Sequence, residues 1–367
     1  MPRPISAVIH LQNLQHNLSI VRQHTEKCKI WSVMKADGYG HGIKHIWPAL
    51  KETDGFAVLD LHEAILLRDE GWKGPILLLE GFFQPQDLQL IDQYNLTTSV
   101  HSDWQLAAIE NAQFSAPISV YIKLNSGMNR LGFSHTDYET VVERLAAIPH
   151  VKSLTLMSHF ANSDTKTGVT VPFQLIQQFQ HLSLETCIAN SGAALWHQYT
   201  QYDWIRTGIL LYGASPSGKS ADIIGLGLKA AMSLQSEVIA IHEIEAGQSI
   251  GYGSRFTSTK PMRIATVACG YADGYPRHAP NGTPVWCQGM RCALLGAVSM
   301  DMLTIDVSDC RNLQLGDKVE LWGQNLPVDD VAHAAGTIGY ELLCALAKRV
   351  PVSYQNSVEW MLTNFAV

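Results

Sequence analysis

The sequence has 367 residues, 46% apolar and 16% charged, enough for a large core and too little charge for a disordered chain. Lys and Arg number 26 against 33 Asp and Glu, a net charge of −7, which argues against a basic nucleic-acid surface and a polybasic membrane anchor. No apolar run approaches the roughly 20 residues of a membrane span. None follows the N-terminus as a signal peptide's would, so the expectation is a cytoplasmic protein. Seven scattered cysteines, an odd count without C-x-x-C, read as reduced thiols, neither a disulfide frame nor a zinc site.

In chain order, eight short β-like runs appear before residue 210: 30–34, 56–59, 76–79, 97–100, 120–124, 154–158, 186–189 and 204–206. Most are 20–35 residues apart, the spacing of strand-plus-helix units. The intervening 61–71 stretch has helical character and ends on Gly71. Eight such units predict an α/β fold with a (β/α)8 barrel of the TIM type over residues 1–228. Beyond that, runs at 233–242, 264–268, 291–295, 303–307 and 318–322 are separated by turn signals. They predict a second, mainly-β domain over 229–367, closed by a short helix near 341–348.

Active residues of a barrel sit just past the C-terminal ends of its strands. There the sequence places Lys35, Lys123, His159, Asn190, Ser191 and Arg206. The loops after strands seven and eight, with Ser191 and Gly208, suit backbone approach to a phosphate. A strand-end lysine facing a phosphate site suggests a phosphorylated aldehyde held as a Schiff base. The plainer reading of any one such lysine is that it reaches solvent.

Three other patterns compete. Residues 213–220, GASPSGKS, match a nucleotide-binding P-loop, and 302–306 could be cast as its Walker B partner. Such a loop normally opens its own domain, and Gly225 and Gly227 disfavour the helix that should follow, so a Gly/Ser-rich interdomain loop is the better reading. His41 and His45 have metal-ligand spacing on a helix, but the glutamate of H-E-x-x-H is missing. Cys287 and Cys292 have no second pair to complete a metal site. Tyr252, Tyr271 and Tyr340 are each flanked by glycine, which permits close approach of a ligand or another chain.

Seven separated segments carry a resemblance: VMKADGYGHG (33–42), KLNSGMNRLGF (123–133), SHFA (158–161), RTGILLYG (206–213), IGYG (250–253), GYADG (270–274) and SMD (299–301). In this order they resemble the alanine racemases, pyridoxal-phosphate enzymes with a barrel and a β domain, over essentially the whole chain. The resemblance implies an isomerase interconverting L- and D-alanine, the latter a peptidoglycan precursor. It implies pyridoxal 5'-phosphate as cofactor, no metal, and a homodimer whose sites are shared across the interface. Lys35 would form the internal aldimine and move a proton on one face of the α-carbon, and Tyr252 on the other. A chain from Tyr252 through His159 to Arg206 would help the phenol act as a base. Arg206 would face the pyridine nitrogen and, having no acceptor, leave the ring a weaker electron sink than an acid would.

Tyr39, Ser191, Tyr340 and the backbone of Gly208 and Ile209 would hold the phosphate, with Asn190 beside them. Arg130, Met300, Asp301 and Tyr271 would bind substrate. Lys123 matches a lysine carbamylated in some members. Asn125 stands where some have Asp, and Thr207 where proline is common. The rivals are a broad-specificity amino-acid racemase, a basic amino-acid decarboxylase of the same architecture, for which Arg206 is the wrong partner, and a non-catalytic carrier.

Overall fold

The computed structural model describes residues 3–25 and 27–355. By their contacts these residues form two compact units. One is Leu18–Gly38 with Gly42–Leu211, and the other holds the rest of the described chain.

The chain opens with strand β1 (Ser6–His10) and a helix, Leu11–His24. Eight parallel strands then form the first unit's barrel: β2 (Lys29–Val33), β3 (Gly55–Val58), β4 (Ile76–Leu78), β5 (Thr97–Val100), β6 (Ile118–Lys123), β7 (Val151–Met157), β8 (Glu185–Cys187) and β9 (Trp204–Thr207). The barrel closes where β9 pairs with β2, Lys29 opposite Trp204. Each sequence-predicted run is a strand. Strands covered on both faces read as continuous apolar stretches, and Phe56, Ala57, Val58, Ile76, Leu77 and Leu78 are all fully buried. The Trp31 indole stacks on Trp204 at 4.3 Å and donates to Tyr121 Oη at 3.1 Å. Its ring explains Gly55: a Cβ there would lie 2.3 Å from Trp31.

The 61–71 stretch is a helix over Leu61–Asp69. Asp60 caps it by accepting from Glu63 N at 3.0 Å, and the chain turns out at Gly71 with φ +105°.

The second unit contains the remaining strands: β10 (Met232–Ile244), β11 (Ser249–Ile250), β12 (Phe256–Thr257), β13 (Met262–Val267), β14 (Pro284–Cys287), β15 (Met290–Leu295), β16 (Leu303–Asp306), β17 (Lys318–Trp322) and β18 (Val352–Gln355). β10 is long enough to pair with both β17 and β13, so the run β13-β16-β15-β14-β17-β10 returns on itself. β1 extends the same sheet antiparallel to β10, and β18 adds to its edge parallel to β1.

The sequence pattern did not reveal β1, β14, β18 or the small β11–β12 hairpin. β1 and β18 depend on long-range pairing, whereas β14 is the first arm of a tight hairpin with β15, Cys287 opposite Met290. The expected terminal helix is Gly339–Cys344, preceded by an unexpected one at Val328–Ala334.

The P-loop-like segment is fastened within this unit. Ser215 N donates to Asp329 Oδ2 at 2.8 Å, Ser220 Oγ to Asp330 Oδ1 at 2.5 Å, and only a 3-10 turn, Ser220–Leu226, follows. A phosphate cradle needs free amides opening an α-helix. Cys287 and Cys292 are buried thiols, the latter 3.6 Å from Cys310 Sγ.

Candidate active site

Lys35 follows β2 and starts a helical segment, Lys35–Gly40, of left-handed sense. Ala36, Asp37 and Tyr39 have φ of +56°, +54° and +53°, with Gly38 and Gly40 also positive. Left-handed backbone costs roughly 1–2 kcal/mol for each non-glycine residue, so something must hold it. Asp37 N donates to Glu63 Oε1 at 2.9 Å, Ile43 N to Asp37 Oδ1 at 2.8 Å, and Gly38 N to Met34 O at 2.8 Å. Glu63 is buried, and its other oxygen accepts from Leu59 N at 3.2 Å. Sequence reasoning missed Glu63. The signal was a carboxylate three residues after the cap Asp60, at the capping-box position and just before the apolar run 64–67.

On β9, the strand paired with β2, Arg206 is 4% exposed. Nη1 donates to Cys187 O at 2.6 Å, and Nη2 to Ser158 O at 2.6 Å and to His159 Nδ1 at 3.4 Å. A guanidinium has donors only, so His159 Nδ1 must accept and its proton sits on Nε2. Burial, then the charges of Arg206, Arg130, Lys123 and Lys35, push the His159 pKa well below the ordinary imidazole value. His159 is therefore neutral with one fixed tautomer.

Lys123, at the end of β6, is brought down to about 8 by burial and then by Arg206. Glu80 opposes that in part, while Arg130 and Lys35 reinforce it. These couplings place Lys35, Lys123, Arg130, His159 and Arg206 in one electropositive cluster.

Arg130 is carried by a loop that closes on itself. Phe133 N donates to Lys123 O at 2.8 Å, and Asn125 Oδ1 accepts from Gly127 N and Asn129 N at 3.1 Å each. Gly132, φ +118°, lets the chain return close to Asn125: a Cβ there would lie 2.7 Å from Asn125 N. On the next two loops, Asn190 caps Ser191–Trp196 by accepting from Ala193 N at 3.1 Å. Ser191 Oγ accepts from Gly208 N at 3.0 Å, bringing these two expected anion contacts together, with the buried Ile209 next in sequence.

The other expected residues lie in the second unit. Tyr39 is buried, 4.6 Å from the Tyr212 ring and 6.0 Å from Tyr340. Burial, then Tyr340 and Cys344, raise its phenol pKa far above normal, so it is a neutral donor. Tyr271 and Met300 sit on touching turns: Tyr271 N donates to Ser299 O and Ala272 N to Met300 O, both at 3.0 Å. Asp301 follows and accepts from Arg349 at 2.7 Å. Tyr252 is 73% exposed, on the β11–β12 turn between Gly251 (φ +67°) and Gly253 (φ +70°).

Residues 9–216 match the family "Alanine racemase, N-terminal domain" and 231–354 "Alanine racemase, C-terminal domain". The chain belongs to the alanine racemase family. A curated alanine racemase from Erwinia tasmaniensis is 53% identical, over 96% of this chain and 99% of its own length. A catabolic alanine racemase from Salmonella typhimurium is also 53% identical, with the same coverage. Among solved structures, the biosynthetic alanine racemase of Pseudomonas aeruginosa superposes with a TM-score of 0.93 at 41% identity, covering 96% of this chain and 100% of that one. That of Bartonella henselae, solved with covalently bound pyridoxal phosphate, gives 0.85 at 28%, with the same coverage. The enzyme is an isomerase that interconverts L- and D-alanine. None of its described helices is long and apolar enough to cross a membrane.

Proposed function

We propose that the enzyme racemises alanine by a two-base route with pyridoxal 5'-phosphate, bound by a barrel domain of residues 1–228, with a mainly-β domain over 229–367. The observation that carries this reading is the electropositive cluster in which Arg206 fixes His159 as a neutral Nε2–H tautomer.

The donor set fits that cofactor. Arg206 spends both terminal nitrogens on protein acceptors, while its Nε–H has no partner among the described contacts. One donor is left for an acceptor such as a pyridine nitrogen, and no carboxylate is there to protonate it. Ser191, Gly208, Ile209, Tyr39 and Tyr340 supply donors suited to a phosphate, with Asn190 bracing the Ser191 turn. Lys35 supplies the amine for the aldehyde. When bound, pyridoxal phosphate supplies an electron sink that eases loss of the substrate α-proton.

The residues then divide the work. Lys35 Nζ takes or returns the proton on one face, and the Tyr252 phenol does so on the other. Two groups are needed because the proton leaves one face and arrives on the opposite one. His159 Nε2–H donates to the Tyr252 oxygen and stabilises its phenolate, and Arg206 keeps that tautomer. Arg130, Met300 and the backbone near Asp301 bind the alanine carboxylate or shape a small pocket, and Tyr271 also meets the substrate. The exposure of Tyr252 and Met300 supports a homodimer in which they complete the site of the partner subunit. Lys123, whose pKa is brought down to about 8 so that more of its amine is neutral than in an ordinary lysine, is a candidate for carbamylation: its neutral amine adds to carbon dioxide and releases a proton. A cytoplasmic location suits the chain.

The test is loss of optical rotation from L- and from D-alanine, with pyridoxal phosphate supplied, in the native enzyme and in Lys35→Ala. Both signals should decay to zero in the native enzyme. The variant should lose the visible absorbance of the bound cofactor and all but a residue of activity. A variant that kept both would overturn the cofactor assignment.

A further inference from the structure

Asp273 is fully buried, yet it is an ionisable carboxylate on a turn of the second unit. Two arginines from opposite ends of the sequence converge on it. Arg3 donates through Nη1 at 2.7 Å and Nη2 at 3.2 Å, and Arg349 through Nε at 2.7 Å. Gly270 N adds a fourth bond at 2.9 Å. Burial alone would raise the Asp273 pKa, but the arginines and this amide outweigh it and hold the group ionised, below its usual value. Neither arginine ends there. Arg349 Nη2 donates to Asp301 Oδ1 at 2.7 Å, and Arg3 Nη2 to Asp301 O at 2.6 Å.

The result is one bracket around two turns. Ser299 O, Met300 O, Asp301 O and Asp301 Oδ1 each accept a bond from the Asp273 turn or from its arginines. Gly270 makes the contact possible: a Cβ there would lie 2.4 Å from the Met300 carbonyl. At Gly274, φ +103°, a Cβ would lie 2.3 Å from Ala345 O. A solvent-facing turn that merely reverses the chain needs no such fixation, and exposed ion pairs add little stability. Four fixed acceptors on three successive residues are what holding a backbone to a few tenths of an ångström requires.

We propose that Arg349, with Arg3 and Asp273, is a positioning residue for substrate binding: it sets the Met300–Asp301 backbone in the geometry that receives the alanine carboxylate. This rests on the proposed role of Met300 and Asp301 in binding substrate. Arg349 touches neither substrate nor cofactor, and its effect passes through Asp301.

The experiment compares Arg349→Ala, Asp301→Ala, their double variant and Met300→Ala as holoenzymes, in both reaction directions. A misplaced binding backbone should raise KM by about 10- to 100-fold in Arg349→Ala, with kcat within about threefold of wild type. Asp301→Ala should raise KM in the same sense, the double variant should be no worse than Arg349→Ala, and added methylguanidine should lower the KM of Arg349→Ala. A brace serving stability alone would lower Tm and the active fraction while the remaining sites kept a wild-type KM, and that result overturns the proposal. If Met300→Ala and Asp301→Ala both keep the native KM, the binding role of the turn fails. If they raise it and a folded Arg349→Ala does not, the positioning role alone fails. Should Arg349→Ala not fold, Asp301→Ala severs the same arm while leaving the Asp273 cradle whole, and a native KM there is equally decisive.

Discussion

Two regions of the molecule gather guanidinium groups, and they treat charge in opposite ways. In the barrel, Lys35, Lys123, Arg130 and Arg206 crowd a neutral histidine, and Arg206 is latched mostly to carbonyls. In the second unit, Arg3 and Arg349 meet Asp273 and Asp301, and positive and negative groups match. Unmatched positive charge raises the energy of the folded chain and is kept where an anionic ligand will discharge it. Matched charge does no such work and serves to fix backbone. The same residue type thus stands in the proposed binding site in one place and in the proposed frame in another, and the carboxylates beside it tell the two apart.

The largest expected effect that would break this contrast comes from Tyr252→Phe. Losing one of two acid–base groups should slow α-proton exchange from one enantiomer by about 10²–10⁴-fold, while Lys35 still serves the other. Solvent isotope exchange from L- and D-alanine measures this separately, and equal rates from both would end the two-base scheme. Arg206→Lys comes next. One ammonium cannot span both carbonyls, so one charged hydrogen bond is lost, about 1.5–3 kcal/mol by denaturant unfolding. The His159 tautomer is also released, so racemisation should fall by more than the loss of folded protein explains.

Glu63→Ala strands the amides of Asp37 and Leu59 beneath the left-handed turn. Its cost should be about 1–3 kcal/mol in unfolding free energy, with faster loss of cofactor absorbance on dialysis. The smallest effect is in pH dependence. The folded pKa of His159 lies below its unfolded value of about 6.5, so under that pH the unfolded chain binds the extra proton. Stability should therefore be full above pH ~6.5 and decline beneath it, with a slope of at most about 1.4 kcal/mol per pH unit. His159→Asn should remove that part of the slope. Asp273, held below its usual carboxylate value, acts in the same sense at lower pH: its contribution is present above the unfolded value and lost as pH falls through the folded one.

By itself the sequence determined most of the barrel and the positions of its reactive groups. β3 and β4, covered on both faces, are apolar along their length, and the spacing of short β-like runs picked out more polar strands such as β5 (Thr97–Val100); the residue ending each run is placed at the barrel mouth by topology alone. Lys35, Lys123, His159 and Arg206 were legible for that reason. Tertiary structure alone decided which partners those groups meet. Nothing near Arg206 in sequence foretells the carbonyls of Cys187 and Ser158 or the proton position on His159. Nor does Ser6–His10 reveal that it completes a sheet begun at residue 232 and ended at 355. The Arg3–Asp273 pair spans 270 residues, and the glutamate under the Lys35 turn comes from the following helix. Local patterns report what a segment buries, since that depends on its own period. Partnerships form only after the chain has closed distant loops, and no short window of sequence contains both halves of such a bond.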